Sequence, residues 1–192
     1  MFNDPSTPAT LLATRRSGKP RDMVAPGPDA GQLRAILSTA IRTPDHGKLA
    51  PWRIVTIGAD QRPAFAALLR TAYLAEKPAA GRLELEAIDQ FAYQAPTLVV
   101  VLSAPARASH IAIWEQELSA GALCMNLLAA VHAAGFVGGW LTTWAAYSNA
   151  VRDAFGSEHE RIAGFIFIGT PSRPLDERPR PDFEQVVRPW SA

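Results

Sequence analysis

The chain has 192 residues, enough for one domain with its own core over 1–192, and its 48% hydrophobic share is ordinary for a globular protein. With 19 basic against 18 acidic side chains the formal net charge is +1, which excludes a general attraction to nucleic acid or anionic membrane, so any anion site must be local. Cys124 is the only cysteine, which rules out an intrachain disulfide and fits a reducing cytoplasm; the N-terminus lacks the basic region and apolar run of a signal peptide.

In chain order, residues 6 to 15 read as a first helix, with Ser6 as N-cap and Pro8 in its first turn. Gly18 and Pro20 break it, and the proline-rich stretch 20 to 28 reads as loop. "DAGQLRAILSTAIRT" predicts a second helix: Asp29 and Gln32 form a capping box, Leu33, Ile36, Leu37, Ala40 and Ile41 make one apolar stripe, and Pro44 stops the helix at Thr43. "WRIVTIG" reads as a strand, followed by helices over 61 to 76 and 79 to 92. "PTLVVVLSA" has the continuous apolar run of a central strand covered on both faces. Residues 113 to 134 form a long core helix ended by Gly135. It is interrupted by polar residues and falls short of the ~20 apolar residues that a bilayer requires. "FVGGWL" is a short strand or turn, Ser148 caps a helix through Phe155, "IAGFIFIGT" is a buried strand, and the tail from Pro171 is mostly extended. There is no internal repeat, no GxGxxG after the first strand and no P-loop, so neither nucleotide fold is supported.

Two loops stand out for chemistry. "TRRSGKPR" gathers Arg15, Arg16, Lys19 and Arg21 at a helix end. Composition alone favours a solvated basic patch, while the functional reading is a phosphate grip, because Arg presents paired donors to phosphate oxygens and Ser17 adds a hydroxyl. "RTPDHGKLAPW" places Arg42, His46 and Trp52 among two prolines, more than a plain connection needs. The four histidines do not pair with one another or with cysteine at metal-ligand spacing. Cys124, between Leu123 and Met125, reads as a buried, inert thiol. There is no GxSxG elbow. Glu115 and Glu117 suit a helix N-terminus. The paired glycines of "FVGGWLTTW" fit either a tight turn among core aromatics or backbone brought close to a flat ligand.

Together these stretches resemble the nitroreductase family of FMN-dependent oxidoreductases, and most closely its small NAD(P)H nitroreductase branch. "RRSGK" resembles the N-terminal flavin motif, "RTPDHGKLAPW" the branch's R-x-PDHxxxQPW, "WEQELSAGALCMNLLAAVHAAGF" its central helix and "GTP" at 169–171 its last core strand. The likeness spans roughly residues 8 to 172, and the joint order of the pieces is what makes it specific. It implies an α+β fold with a mixed, mostly antiparallel sheet flanked by helices, and a homodimer with the long helix at its interface and two FMN sites between subunits. By the same resemblance Arg15, Arg16, Ser17 and Lys19 hold FMN. Arg42 and His46 reach a flavin, the partner's included. Trp140, Leu141 and Thr142 match a flavin-binding segment, and Ala130 to Gly135 matches a stretch assigned to nicotinamide dinucleotide binding. Ala50 and Leu141 depart from the branch, which has Gln and Arg there, and Arg178 and Arg180 of the tail are placed to compensate.

The function implied is electron transfer from NADH or NADPH through FMN to a nitroaromatic, quinone or enone acceptor, by ping-pong kinetics and with no dedicated catalytic side chain. The alternatives are a flavin enzyme of the same fold with dehalogenating or flavin-destroying chemistry, and a non-enzymatic flavin-binding protein.

Overall fold

The computed structural model describes residues 2–191. Helix α1 (Pro8–Thr14) has its N-cap one residue later than expected, because the hydroxyl of Thr7, rather than that of Ser6, accepts the Thr10 N–H, and Pro8 takes the first helical position, where a missing N–H costs nothing. Within the stretch expected to be loop lies β1 (Met23–Val24), a strand created by its partner: Met23 and Val24 pair with Pro171 and Thr170. Helix α2 (Ala30–Ala40) has the capping box of Asp29 and Gln32 and ends before Thr43. Then follow β2 (Trp52–Ile57), α3 (Arg62–Glu76), α4 (Arg82–Tyr93) and β3 (Thr97–Ser103). The long helix α5 (Ile113–Ala133) is capped by Ala134, and Gly135 beyond it takes φ 85°, where a side chain would be strained. β4 (Val137–Leu141) is followed by α6 (Asn149–Asp153), which Ser148 caps as expected but which stops short of Phe155. β5 (Arg161–Pro171) closes the sheet, and the tail expected to be extended carries a short helix, α7 (Phe183–Val186).

The strands form one five-stranded sheet in which β2, β3 and β5 lie in order, β4 flanks β5 on its other side and β1 joins the C-terminal end of β5. All pairings among the described residues are antiparallel, so the parallel component of the expected mixed sheet is not seen there. The period of two sorts the core onto two faces. Leu98, Val100, Leu102, Phe165 and Phe167 meet Phe65, Leu69 and Phe91 from α3 and α4, with the Phe91 ring edge-on to Phe165 and Phe167 at 5.3 and 5.2 Å. Val99, Val101, Ile166 and Ile168 meet Ile36 of α2 and Leu123, Leu127 and Val131 of α5. Each such side chain contributes about 1.5–3 kcal/mol by leaving water.

Helix α5 is apolar nearly all round. One side packs on the sheet, while Trp114, Leu118 and Met125 on the other are exposed, Trp114 to 67%. Among the described residues no helix is long and apolar enough to cross a membrane.

Candidate functional site

The loop after α1 lies against the edge strand β4. Gly18 N–H donates to the Gly138 carbonyl at 3.1 Å. The approach is close enough that a Cβ on Gly139 would stand 2.7 Å from the Gly18 carbonyl oxygen, so glycine is needed there. Held in this way, the loop gathers charge. Arg15 Nη1 donates to Ser17 Oγ at 3.2 Å, and Arg16 donates through Nε to the Asp176 carbonyl at 2.5 Å and through Nη1 to the Ser17 carbonyl at 3.3 Å. Lys19 Nζ meets the Asp176 carboxylate at 3.3 Å. Arg180 reaches back from the tail and donates to the Arg15 carbonyl at 3.3 Å. Burial lowers the Arg15 pKa, and the charges of Arg180 and Arg16 push the same way. Among the described residues Arg15 has no acidic partner. A half-buried guanidinium crowded by two others is a place where an oxyanion gains most.

The cleft beside this loop is lined by Arg16, Ser17, Lys19, Asp22, Val137 and Arg173. Its far wall is the tail, anchored by Arg173, which grips the Asp22 carboxylate at 2.5 and 3.0 Å. Arg180 therefore reaches the cluster. Arg178 is exposed, and its guanidinium has no hydrogen bond or ion pair among the described residues. Sequence reasoning missed Asp176 and Glu177, the carboxylates facing Lys19, Arg16 and Arg180. Nothing local marks their contacts with Arg16 and Lys19, which join opposite ends of the chain.

The second cationic loop sits at the other end of α5. Ser119 relays it to the helix: the Trp52 indole donates to Ser119 Oγ at 3.1 Å, and that hydroxyl donates to the Pro44 carbonyl at 2.7 Å. Asn126 adds a donor to the Ala40 carbonyl at 2.9 Å. Between these anchors the backbone turns left-handed at Gly47, φ 79°, where glycine bears it without strain, and is strained at Lys48, φ 56°, and Ala50, φ 45°. His46 Nδ1 lies 2.8 Å from Glu115, and Arg42 is exposed. At ~1.5 Å per residue, Glu115 and Ala130 are about 22 Å apart along α5. One chain thus does not bring His46 to Arg15, Arg16 and Ser17, whereas Arg42 follows the end of α2 that Asn126 holds, past the middle of α5.

The remaining candidates follow α5 and β4. Ala130 is buried in the core beside Leu127 and Val131, while Gly135 is exposed. Trp140 donates to the Ala163 carbonyl at 2.9 Å and lies across Gly164 at 37% exposure; Leu141 is half-buried and Thr142 exposed. The loop beyond Thr142 is held by Glu76, which accepts from the Trp144 indole at 2.7 Å and from Ser148 Oγ at 2.6 Å. Glu76 carried no sequence signal, because its partners lie far along the chain. Two buried groups complete the region. Burial pushes the Cys124 thiol up to about 12, which leaves it unreactive. His132, 1% exposed, is pushed down to about 4 by burial first and by the Arg15 charge second, so its imidazole is neutral.

These features define a class: an antiparallel α+β protein with helices on both faces of its sheet and a cleft lined by cationic side chains against a glycine-rich edge strand. Residues 12–170 match the model of the nitroreductase family, and the chain belongs to that family of oxidoreductases. It is 35% identical over 165 residues to the Escherichia coli (strain K12) protein named "Putative NAD(P)H nitroreductase YdjA", the match covering 84% of this chain and 86% of that one. The fold is similar to that of the nitroreductase-like family protein from Bacillus cereus, with a TM-score of 0.83 at 16% identity and 97% of each chain covered. It is also similar to the FMN-dependent nitroreductase NfnB from Mycobacterium smegmatis, solved in complex with NADPH, with a TM-score of 0.71 at 16% identity over 95% of this chain and 97% of that one.

Proposed function

We propose that this protein is an FMN-dependent NAD(P)H oxidoreductase that works as a cytoplasmic homodimer and passes electrons to a nitroaromatic, quinone or enone acceptor. The observation that carries this reading is the Arg15 cluster: a half-buried guanidinium with the charges of Arg16 and Arg180 near it, beside a backbone that only glycine could bring so close. The residues fit a flavin phosphate. Arg15, Arg16, Ser17 and Lys19 would hold it, with Arg180 and Arg178 from the tail. Trp140, Leu141 and Thr142 would line the ring side, and of the stretch from Ala130 to Gly135 only the exposed end at Gly135 would face the nicotinamide donor, since Ala130 is buried in the core.

The exposed stripe of Trp114, Leu118 and Met125 supports the dimer, since a helix that is apolar nearly all round calls for cover on its second side as well. Two α5 helices packed antiparallel across a twofold would bring Arg42 and His46 of one copy to the Arg15 cluster of the other, completing a site that neither chain holds alone. When bound, FMN supplies the hydride and electron chemistry, and the protein binds, orients and excludes water. Cationic side chains favour added negative charge, and no side chain is needed as a dedicated acid or base. Donor and acceptor would occupy the same face in turn, which gives ping-pong kinetics. The test is the visible absorption spectrum of the purified protein before and after anaerobic NADPH. The reading predicts a yellow protein that bleaches; a colourless protein that takes up no added FMN overturns it.

A further inference from the structure

We infer that His132 is a positioning residue that holds the phosphate-gripping loop in register through the backbone of Gly138. This deepens the reading above and rests on it. His132 lies in the last turn of α5, 1% exposed, and meets Gly138 beside Leu128 and Val131, where an aliphatic side chain would pack without a polar cost. Its Nε2 is 3.2 Å from the Gly138 N–H. A backbone N–H can only donate, so Nε2 accepts and the ring proton is on Nδ1. Nδ1 is buried and has no partner among the described residues. An imidazole kept there despite an unpaired donor points to the bond on its other nitrogen.

That bond sits at a junction. Gly138 pairs with Ile168 in the sheet, yet both its N–H and its carbonyl are satisfied outside the sheet, the first by His132 and the second by Gly18 N–H at 3.1 Å. One residue of the edge strand thus joins the end of α5 to the centre of the loop that carries Arg15, Arg16 and Ser17. The junction tolerates little displacement. A Cβ on Gly138 would stand 2.6 Å from Leu128 Cδ2, and one on Gly18 2.5 Å from Val137 Cγ1. A shift of β4 away from α5 therefore moves the Gly18 peptide, and with it the guanidinium groups on either side. Kept neutral, the ring adds no charge beside Arg15 and acts on the loop only through the strand.

The experiment compares His132→Gln, whose amide oxygen can replace Nε2 as acceptor, with His132→Asn, which is polar but too short to reach Gly138, and His132→Phe, which fills the space without an acceptor. FMN and riboflavin affinities are measured by fluorescence titration, and amide hydrogen exchange is followed at Gly18 and Gly138. The expected result is that Asn and Phe lose FMN affinity by about tenfold or more, as expected for an unmade buried hydrogen bond. Riboflavin affinity holds, exchange at Gly18 and Gly138 quickens, and Gln restores both readouts. Equal losses for the two flavins, or Gln no better than Asn, overturn the inference, because a purely structural role would not distinguish the phosphate. Should Phe fail to fold, the Gln and Asn pair decides. A wild-type protein that binds neither flavin overturns the functional reading instead; hydrogen exchange then still decides whether His132 holds Gly18.

Discussion

The two ends of α5 carry the two cationic loops, and they are held in opposite ways. Toward the N-terminal end, residues 42–52 are fixed by hydrogen bonds of Trp52 and Pro44 through Ser119, by the contact of His46 with Glu115 and by a half-buried Trp52, firmly enough to keep Lys48 and Ala50 at positive φ. At the C-terminal end, residues 15–19 rest on glycine contacts with β4 and on ion pairs with the tail that are half-exposed or more on at least one side. The first arrangement stores strain and keeps its shape. The second leaves Arg15 without an acidic partner among the described residues and pairs its neighbours with carboxylates that another anion can displace. The difference separates a preformed wall from an exchangeable grip, and it teaches that the two loops should respond differently to mutation, salt and pH.

The sharpest break in that comparison is Arg15→Glu. It puts a carboxylate where the grip is least compensated, and FMN affinity should fall on the order of a thousandfold while riboflavin affinity changes little. Parallel fluorescence titrations check this, and equal losses would show that Arg15 does not read the phosphate.

Acid should loosen the same end. The His132 imidazole is held at about 4 against an ordinary 6.5, by burial first and then by Arg15, so between those values the unfolded chain binds the extra proton. Its contribution is therefore full above pH 6.5, falls as the pH drops and is spent near pH 4. The loss is about 3 kcal/mol, from 2.5 pH units at 1.36 kcal/mol each. Urea unfolding at pH 7 and pH 4.5 should show most of this in the wild type and little in His132→Gln.

How far was this legible beforehand? The helices and the apolar runs of β3 and β5 were, because helical periodicity, capping residues such as Asp29 and Ser148 and unbroken apolar stretches encode them. The sense of the sheet was not, since an apolar run such as Leu98 to Leu102 reads the same whether its neighbours run with it or against it. Two-residue β1 exists only through Thr170 and Pro171, and the N-cap moved from Ser6 to Thr7 because adjacent hydroxyls compete and Pro8 decides. Within the site, the Arg15 cluster announced itself by charge and family likeness. His132, Asp176 and Glu76 did not, because each acts through a partner that only the folded chain supplies.

At the rigid end, Ser119→Val removes the acceptor of the Trp52 indole and the donor to Pro44. It should cost about 2 kcal/mol in chemical denaturation, since both groups lose their partner. FMN should then bind with a weaker contribution from the wall and an unchanged salt dependence. The smallest effect should come from the exchangeable pairs: Asp176→Asn frees Lys19 and should tighten FMN by about threefold at low salt, a gain that vanishes near 1 M salt. A gain that survives high salt would mean the carboxylate acts by more than screening charge.

The central claim is that each flavin site is built from the C-terminal end of one α5 and the N-terminal end of another. Its most direct test mixes two defective chains, Arg15→Glu and the double variant Arg42→Ala with His46→Ala, after denaturing and refolding them together. If the site spans two chains, half of the dimers are mixed and each carries one intact site, so about a quarter of the wild-type FMN occupancy should return. Occupancy no greater than the average of the separately refolded variants would contradict the account and place the whole site within one chain.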